Sequence, residues 1–559
     1  MNNRDYNVFF NTHTVSGIVI SIGLYVIFLA GGFALFLENI NHWEANEPAE
    51  SAVTVIDYDR VLAQVEAEGY AMHGRDMFIN NHHGHISVFS QPLSDSTLQV
   101  SQLSLLPDSV ARGNINLELD GDTYAVAPSE EEAQEAALGD FLYDLHFFRQ
   151  IPVVGIYLAG LVSVFFLFAI ITGVIVHWNK IFSFFFTFRL KASLKNLWTD
   201  AHTALGVIGL PFQFMYAVTG AIFGLVILIF LPYAQILYGG DQQAMFEEVY
   251  PAFFSQQFET KGYTEAQVSI NKLVEQSVSK IPTEHVEFIS VGIKNYHDQN
   301  AHVGVTIGTD LTSHFFNTTE IAYRLSDGQM VHEVAVADNP PYVVGVVDFV
   351  HRIHFGNYGG YFIRVLYFLM ALVTCFVIIS GVMVWLKARD KKKYEAKQQY
   401  NTNVGAIYLG ACLGLFPAIA LMFILTKTFP AEMAHRFGWI SWLFLAFWVG
   451  YTVYAYFVKN YFTINRNALL LAGVMGLLIP VFNGLHSGLW LWQSLPMGYP
   501  DSFFVDLAWL LTGALTTFVA LRLTPQAEPA KATRKKQKLT TIRVSKPIHA
   551  VNPGPRPIQ

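Results

Sequence analysis

Residues 13–31 read HTVSGIVISIGLYVIFLAG, and residues 202–220 read HTALGVIGLPFQFMYAVTG. Each string opens on His-Thr, carries no charged residue, and reaches a glycine 18 residues after the histidine, at Gly31 and Gly220. A second duplication lies downstream of each. Leu145-His146-Phe147 leads to Gly173 in Ile-Thr-Gly-Val, and Ile353-His354-Phe355 leads to Gly381 in Ile-Ser-Gly-Val, 27 residues after the histidine in both cases. Repetition of the same strings in the same order, each with its own constant His-to-Gly spacing, marks a repeated structural unit. Here the unit is a span, an intervening region the size of a small domain, and a second span.

The composition around these strings points to a membrane protein. Only 14% of the 559 residues are charged, against about 25% in soluble domains, while 52% are hydrophobic and 15% aromatic. A disordered, collagen-like or water-soluble chain is excluded. The formal net charge of −8 argues against nucleic acid, which needs a concentrated basic face. Eight segments are apolar for about the 20 residues a bilayer crossing requires: 14–37, 152–178, 203–232, 361–386, 403–425, 437–458, 467–490 and 503–523. The first is followed by Glu38 and lacks a small-residue cleavage site, so it reads as a retained anchor. Pro480, Asn483 and His486 interrupt the seventh.

Basic residues set the orientation. Lys180, Arg189, Lys191 and Lys195 lie between spans two and three. Lys387, Arg389 and Lys391–Lys393 follow span four, and Lys531, Arg534, Lys535, Lys536 and Lys538 follow span eight. These sides are cytoplasmic by the positive-inside rule, which puts both termini inside. Segment 38–150 carries 20 Asp and Glu against four Arg and no Lys, as suits an exported region. The partition is then 1–37 (N-terminus and first span), 38–150 (first exported module), 151–178 (second span), 179–202 (cytoplasmic loop), 203–232 (third span), 233–350 (second exported module), 351–386 (fourth span), 403–523 (a C-terminal four-span region) and 524–559 (a basic, Pro-rich tail). Val286–Val291 and His302–Ile307 read as strands and Ala266–Ser279 as an amphipathic helix, so each exported module is expected to be α+β. The fold class is an all-α polytopic membrane protein of about eight transmembrane helices, internally duplicated, with two small α+β exported modules.

Depth sorts the histidines. From His146 to His177 is 31 residues, about 46 Å if helical, more than a hydrocarbon core of about 30 Å. His13, His177 and His202 therefore belong near the cytoplasmic face, and His146, His351 and His354 near the exported face. A haem iron inside a helical bundle takes two axial imidazoles from different helices at one depth. Each cluster supplies them. The only two cysteines, Cys375 and Cys412, stand inside apolar runs and form no C-x-x-C-H attachment motif, so two non-covalent b-type haems with bis-histidine ligation are expected. The repeat pairs His13 with His202 and His146 with His354. His177, whose counterpart is Trp385, leaves the cytoplasmic pairing open, and His351, one turn from His354, is the weaker exported candidate.

These strings resemble the PepSY-associated transmembrane-helix family, iron-regulated reductases of bacterial inner membranes. The resemblance is carried by Leu142-Tyr143-Asp144-Leu145-His146-Phe147 and Thr172-Gly173-Val174-Ile175-Val176-His177. Phe184-Phe185-Phe186-Thr187-Phe188-Arg189 and Trp198-Thr199-Asp200-Ala201-His202 with Leu210-Pro211-Phe212 continue it. His354-Phe355-Gly356-Asn357-Tyr358-Gly359-Gly360 and Gly381-Val382-Met383-Val384-Trp385 complete it, over roughly residues 10–390. The resemblance implies PepSY-like periplasmic modules and electron transfer through b haems to ferric iron, often siderophore-bound, on the periplasmic side. It departs at Gln213, where family members often carry a histidine after Leu-Pro-Phe.

Other constellations weigh less. His82-His83-Gly84-His85, with His73 and Asp76 upstream, reads as a solvated polar loop before it reads as a metal site. His435 and His486 read as interfacial. No phosphate loop, G-x-G-x-x-G or H-E-x-x-H stands in the chain, so electrons are expected from membrane quinol or a separate cytoplasmic donor. The alternative is a membrane-anchored ligand-binding or regulatory protein without redox activity.

Overall fold

The computed structural model describes residues 2–48, 56–82, 85–91, 113–121, 123–126, 137–185, 194–242, 244–245, 258–281, 286–309, 318–335, 342–389, 398–430 and 433–525. His83 and Gly84, the aromatic–basic run beyond Phe185, Lys391–Lys393 and the basic tail lie outside the described residues.

Eight helices are long and apolar enough to cross a membrane. The four of the duplicated part are α1 (Asn3–Ala34), α5 (Val154–His177), α7 (Leu210–Leu237) and α10 (Gly360–Arg389). Shorter helices lead into three of them: α4 (Leu138–His146) before α5, α6 (Leu194–Ile208) before α7, and α9 (Tyr342–Phe355) before α10. The last four spans are α11 (Gln398–Thr428), α12 (Arg436–Val458), α13 (Tyr461–Ser487) and α14 (Pro500–Arg522). Within the duplicated part α1 packs on α5 and α10, α5 also on α7, and α10 also on α6. The four spans thus close a ring in which each repeat contributes two adjacent staves.

Local chemistry explains where these helices break. Helix α1 starts ten residues before His13, capped by the Asn2 side chain, which accepts the Asp5 N–H at 2.8 Å. His13 therefore sits within a helix and not at its start. Between α6 and α7 the chain steps at Gly209, because Pro211 lacks an N–H and favours a first-turn position. His146 and α5 are not on one helix either. Phe148 and Val153 take φ of 61° and 63°, and a Cβ on Gly155 would meet the Phe148 carbonyl oxygen at 1.9 Å. The expected 46 Å rise from His146 to His177 is thus shortened by the turn at 147–153, although the two residues still lie at opposite ends of α5.

Outside the spans, helices α3 (Tyr58–Ala67) and α8 (Ile270–Val278) cover one sheet. Its strands are β1 (Arg75–His82), β2 (His85–Ser90), β3 (Ile115–Asp120), β4 (Val286–Tyr296), β5 (His302–Thr309), β6 (Thr318–Arg324) and β7 (Met330–Ala335). The order is β3-β2-β1-β4-β5-β6-β7, every pair antiparallel. Both expected α+β modules are present, and they join edge to edge: Ile79 pairs with Val291 and Met77 with Ile293. One apolar layer runs through both halves, with Val61, Val65, Ile79, Val88, Val274, Val291 and Val305 all buried in it. The two helices cap one another. Asp59 accepts the Ile270 N–H at 2.9 Å, and Asn271 accepts the Tyr58 N–H at 2.7 Å.

The C-terminal spans dock on the duplicated part through a buried polar network. The short helix α2 (Leu37–Ala45) supplies Trp43, whose indole N–H donates to Asp506 Oδ1 at 2.8 Å, while Asn483 donates to Asp506 Oδ2 at 2.9 Å. Lys427 Nζ donates to the carbonyls of Trp43 and Glu44 and to Asn46 Oδ1, and lies 4.4 Å from the Trp43 ring centre. Arg436 pairs with Glu44 at 2.8 Å. Close helix approach at Gly473 and Gly513, where a Cβ would strike the facing helix, brings α13 against α14.

Candidate functional site

Four of the predicted histidines meet as two pairs. His13 of α1 faces His202 of α6 with ring centres 6.0 Å apart, and His146 of α4 faces His354 of α9 with ring centres also 6.0 Å apart. Each pair takes one member from each repeat. Fourteen residues of α1 separate His13 from Ile27, the residue whose carbonyl His146 contacts, so the two sites are stacked about 21 Å apart along the helix.

Each ring is held through Nδ1. His13 contacts the Ala169 carbonyl at 2.7 Å, His202 the Val377 carbonyl at 2.9 Å and His146 the Ile27 carbonyl at 2.9 Å. His354 instead contacts the Thr219 hydroxyl at 2.8 Å. A carbonyl accepts only, so Nδ1 carries the proton in the first three and Nε2 is left with its lone pair. The repeated glycines make this possible. A Cβ on Gly31 would lie 2.5 Å from His146 Nδ1, one on Gly381 2.9 Å from His202 Cε1 and one on Gly173 3.1 Å from His13 Cε1. Three of the four duplicated glycines therefore serve as seats for imidazole rings. The fourth, Gly220, faces Ser163.

This geometry suits one kind of ligand. Two imidazoles bonded to one ion from opposite sides at about 2 Å each put their ring centres roughly 6 Å apart. The clamp on the second ring nitrogen is the usual outer partner of a metal-bound histidine. Among the described residues no group of three or more His, Cys, Asp or Glu is placed to hold a metal ion. A bare ion would thus have two protein ligands only, whereas a porphyrin brings four nitrogens of its own. A cavity opens beside the His146–His354 pair. A cavity of about 280 Å³ is lined by His146, His354, Gly31, Phe166, Phe223 and Tyr216, among other apolar and aromatic side chains. The residues fit haem.

The remaining candidates fall elsewhere. His177 ends α5, one turn beyond Gly173, and is close enough to His202 to interact electrostatically. The ring that faces His13, however, is that of His202. His351 lines the exported-side cavity, but its Nδ1 is turned back on the Val347 carbonyl at 3.1 Å and its ring lies against Phe223. Gln213 is buried and its amide reaches Thr374 Oγ1 at 3.4 Å. His82 and His85 are register partners where β1 pairs with β2. Asp76 is taken up by Lys294 and the Asn295 N–H, both at 2.9 Å. His73 lies 3.5 Å from Asp298. Desolvation works against the Asp298 carboxylate, but N–H donors from Lys261, Asn300 and Gly262 prevail and hold it below the usual range. His435 and His486 stay at helix ends, far in sequence from either pair.

Sequence reasoning missed the clamps. Carbonyls carry no sequence signal, and Thr219 and Tyr216 look like ordinary span residues. Yet Tyr216 donates its hydroxyl to the His354 carbonyl at 2.6 Å and stands 4.9 Å from its ring. Between the two sites lies an aromatic cluster. Phe28 is 5.5 Å from Phe166, 6.1 Å from Phe212 and 6.0 Å from Tyr216, ring centre to ring centre.

Comparison with known proteins gives two findings. The family model for the PepSY-associated TM region matches residues 10–388, the span of both repeats. An uncharacterized protein of Pseudomonas aeruginosa is 24% identical over 390 residues, which cover 67% of this chain and 92% of that relative. The four C-terminal spans lie beyond the matched family region.

Proposed function

This chain belongs to the PepSY-associated TM family, and on that premise we propose that it passes electrons across the membrane through two b-type haems to a ferric chelate. The observation that carries this reading is the repeated pair of cross-helix histidines, each with Nδ1 engaged and ring centres 6.0 Å apart. His13 and His202 hold the cytoplasmic-side group, and His146 and His354 the exported-side group. Bound there, the haem irons supply one-electron carriers at two depths. The protein's own part is to fix the imidazoles, to exclude water with Phe28, Phe166 and Phe212, and to keep charge out of the interval between the sites.

The substrate is ferric iron in a chelate, a siderophore included, delivered on the exported side. In a bacterial inner membrane that side is the periplasm. The balance is simple: one quinol releases two electrons and two protons, and two ferric ions each take one electron to become ferrous. A separate cytoplasmic donor is the other source of those electrons. The multi-pass architecture and the aromatic bridge support transfer through the bundle more than they support an anchored binding module, which needs no stacked interior histidines.

The test is a visible spectrum of the purified protein with and without dithionite. A Soret band, and an α band that sharpens on reduction, are expected, with roughly half the signal lost in His146→Ala or His354→Ala. Absence of both bands in the wild-type protein overturns the haem assignment. Full haem content in both variants overturns the exported-side pair, and unaltered ferric-chelate reduction in haem-depleted variants separates the haem from the reaction.

A further inference from the structure

One of the four clamps differs from the rest, and the difference is chemical. His13, His202 and His146 each meet a backbone carbonyl, while His354 meets the side-chain hydroxyl of Thr219. Thr219 is 1% exposed. Its hydroxyl also lies 2.9 Å from the Met215 carbonyl, which takes the hydroxyl proton when Nδ1 is the donor. In the other repeat the position equivalent to Thr219 is Ala30, which has no hydroxyl. The position equivalent to Ile27 is Tyr216, whose hydroxyl is occupied with the His354 carbonyl. The second repeat has thus replaced a main-chain acceptor by a side-chain one at this ring alone.

We infer that Thr219 is a positioning residue that gives the exported-side centre the higher reduction potential of the two, and so directs electrons outward. The inference rests on the haem reading above. An outer acceptor on Nδ1–H pushes electron density into the imidazole and makes it a stronger donor to ferric iron, which lowers the potential. An alcohol oxygen is a poorer acceptor than an amide carbonyl, so His354 is the weaker donor among the four ligands. Ferrous iron is correspondingly favoured at the site it shares with His146. The cytoplasmic-side centre, with two carbonyl-clamped ligands, lies lower. An electron entering from the cytoplasmic side then moves downhill toward the exported face.

The experiment is a spectroelectrochemical titration of the α band in the full-length, haem-loaded protein. Two one-electron waves are expected, and His13→Ala removes the lower one. Thr219→Val keeps the volume and deletes the acceptor. It is expected to move only the upper wave, further upward, by roughly tenfold in the reduction equilibrium, about 59 mV for one electron. Thr219→Ser restores the wild-type position. If the valine variant does not assemble, Thr219→Ala gives the same reading with less bulk. Thr219→Val waves that coincide with wild type, or loss of the upper wave in His13→Ala, overturn the inference while leaving two haems in place. A wild-type protein with no haem spectrum overturns the haem reading, and the inference with it.

Discussion

Replacing Gly31 by alanine tests the ring-seat argument at the position where its geometry is tightest. The added methyl would stand 2.5 Å from His146 Nδ1 and 2.8 Å from its Cε1. Packed heavy atoms sit at about 3.5 Å, so the ring must retreat by roughly 1 Å. An iron–nitrogen bond of about 2 Å does not survive that displacement, and the 2.9 Å contact with the Ile27 carbonyl goes with it. The helix itself gains from the change, since alanine is about 1 kcal/mol better than glycine in a helix interior. Loss of the ligand therefore occurs without loss of the fold. The expected result is a purified Gly31→Ala protein with normal thermal stability and about half the wild-type haem per chain. Three companions calibrate it. Gly17→Ala meets nothing within 4 Å and keeps both haems. Gly220→Ala strikes Ser163 Oγ at 2.7 Å and not a ligand, so it disturbs the packing of α5 on α7 before it disturbs haem. Gly381→Ala, at 2.9 Å from His202, weakens the cytoplasmic-side site instead. A Gly31→Ala protein that retains two haems with unshifted bands refutes the reasoning.

Three further outcomes are expected. Lys427→Met leaves the buried Trp43 carbonyl and the half-buried acceptors on Glu44 and Asn46 without their donor, and the buried one alone costs about 1–3 kcal/mol. Thermal unfolding in detergent should fall while the haem spectrum does not change; an unaltered melting temperature counts against the docking role. Asp59→Ala removes the acceptor for Ile270 N–H and Ser269 Oγ across the module seam. It is expected to cost about 1–2 kcal/mol, read as faster amide exchange in α8, and unchanged exchange there would count against the reciprocal cap. His42 has its pKa raised above 6.5, first by the hydrogen bond to Asp501 and against desolvation. Because the folded value is the higher one, its stabilisation is complete below pH 6.5 and is lost as pH rises through the folded pKa. The stability gap between wild type and His42→Gln should narrow over that rise; a gap that widens with pH contradicts the pairing.

Hydrophobic length made the spans legible, and the duplicated strings made the four repeat-related histidines legible, because apolar runs and a recurring His-to-Gly spacing are both written along the chain. Three things were not. The break between His146 and α5 depends on left-handed backbone at Phe148 and Val153, two residues that ordinarily avoid it. The choice of His202 over His177 as the ring facing His13 is a matter of which side of a helix faces inward. The joining of the two α+β modules requires β1 to pair with β4, more than 200 residues away, and a strand's apolar alternation names no partner. The C-terminal network did leave a trace: Lys427 and Asp506 are ionisable residues inside apolar spans, and such groups rarely lack a partner.

The clamps also explain why two copies of the unit are needed. His13 is oriented by Ala169 and His146 by Ile27, all in the first repeat; His202 is oriented by Val377 and His354 by Thr219, all in the second. Orientation is therefore solved within each repeat, and ring pairing only between them. A single repeat would hold two well-placed half-sites and no complete one. The region outside the spans follows the same rule. Each module builds its own helix and strands, and the seam is closed by reciprocal contacts, β1 on β4, Asp59 accepting from the Ile270 N–H and Asn271 from the Tyr58 N–H. Within the spans the ring α1–α5–α7–α10 alternates contacts inside a repeat with contacts between repeats. Contact between the two repeats thus recurs at the β1–β4 seam, in the helix ring and in both histidine pairs. Departures from the repeat are where asymmetry enters. Thr219 in place of Ala30 is one such departure, against the His354 ring, and under the proposed electron transfer it falls at the outer of the two sites.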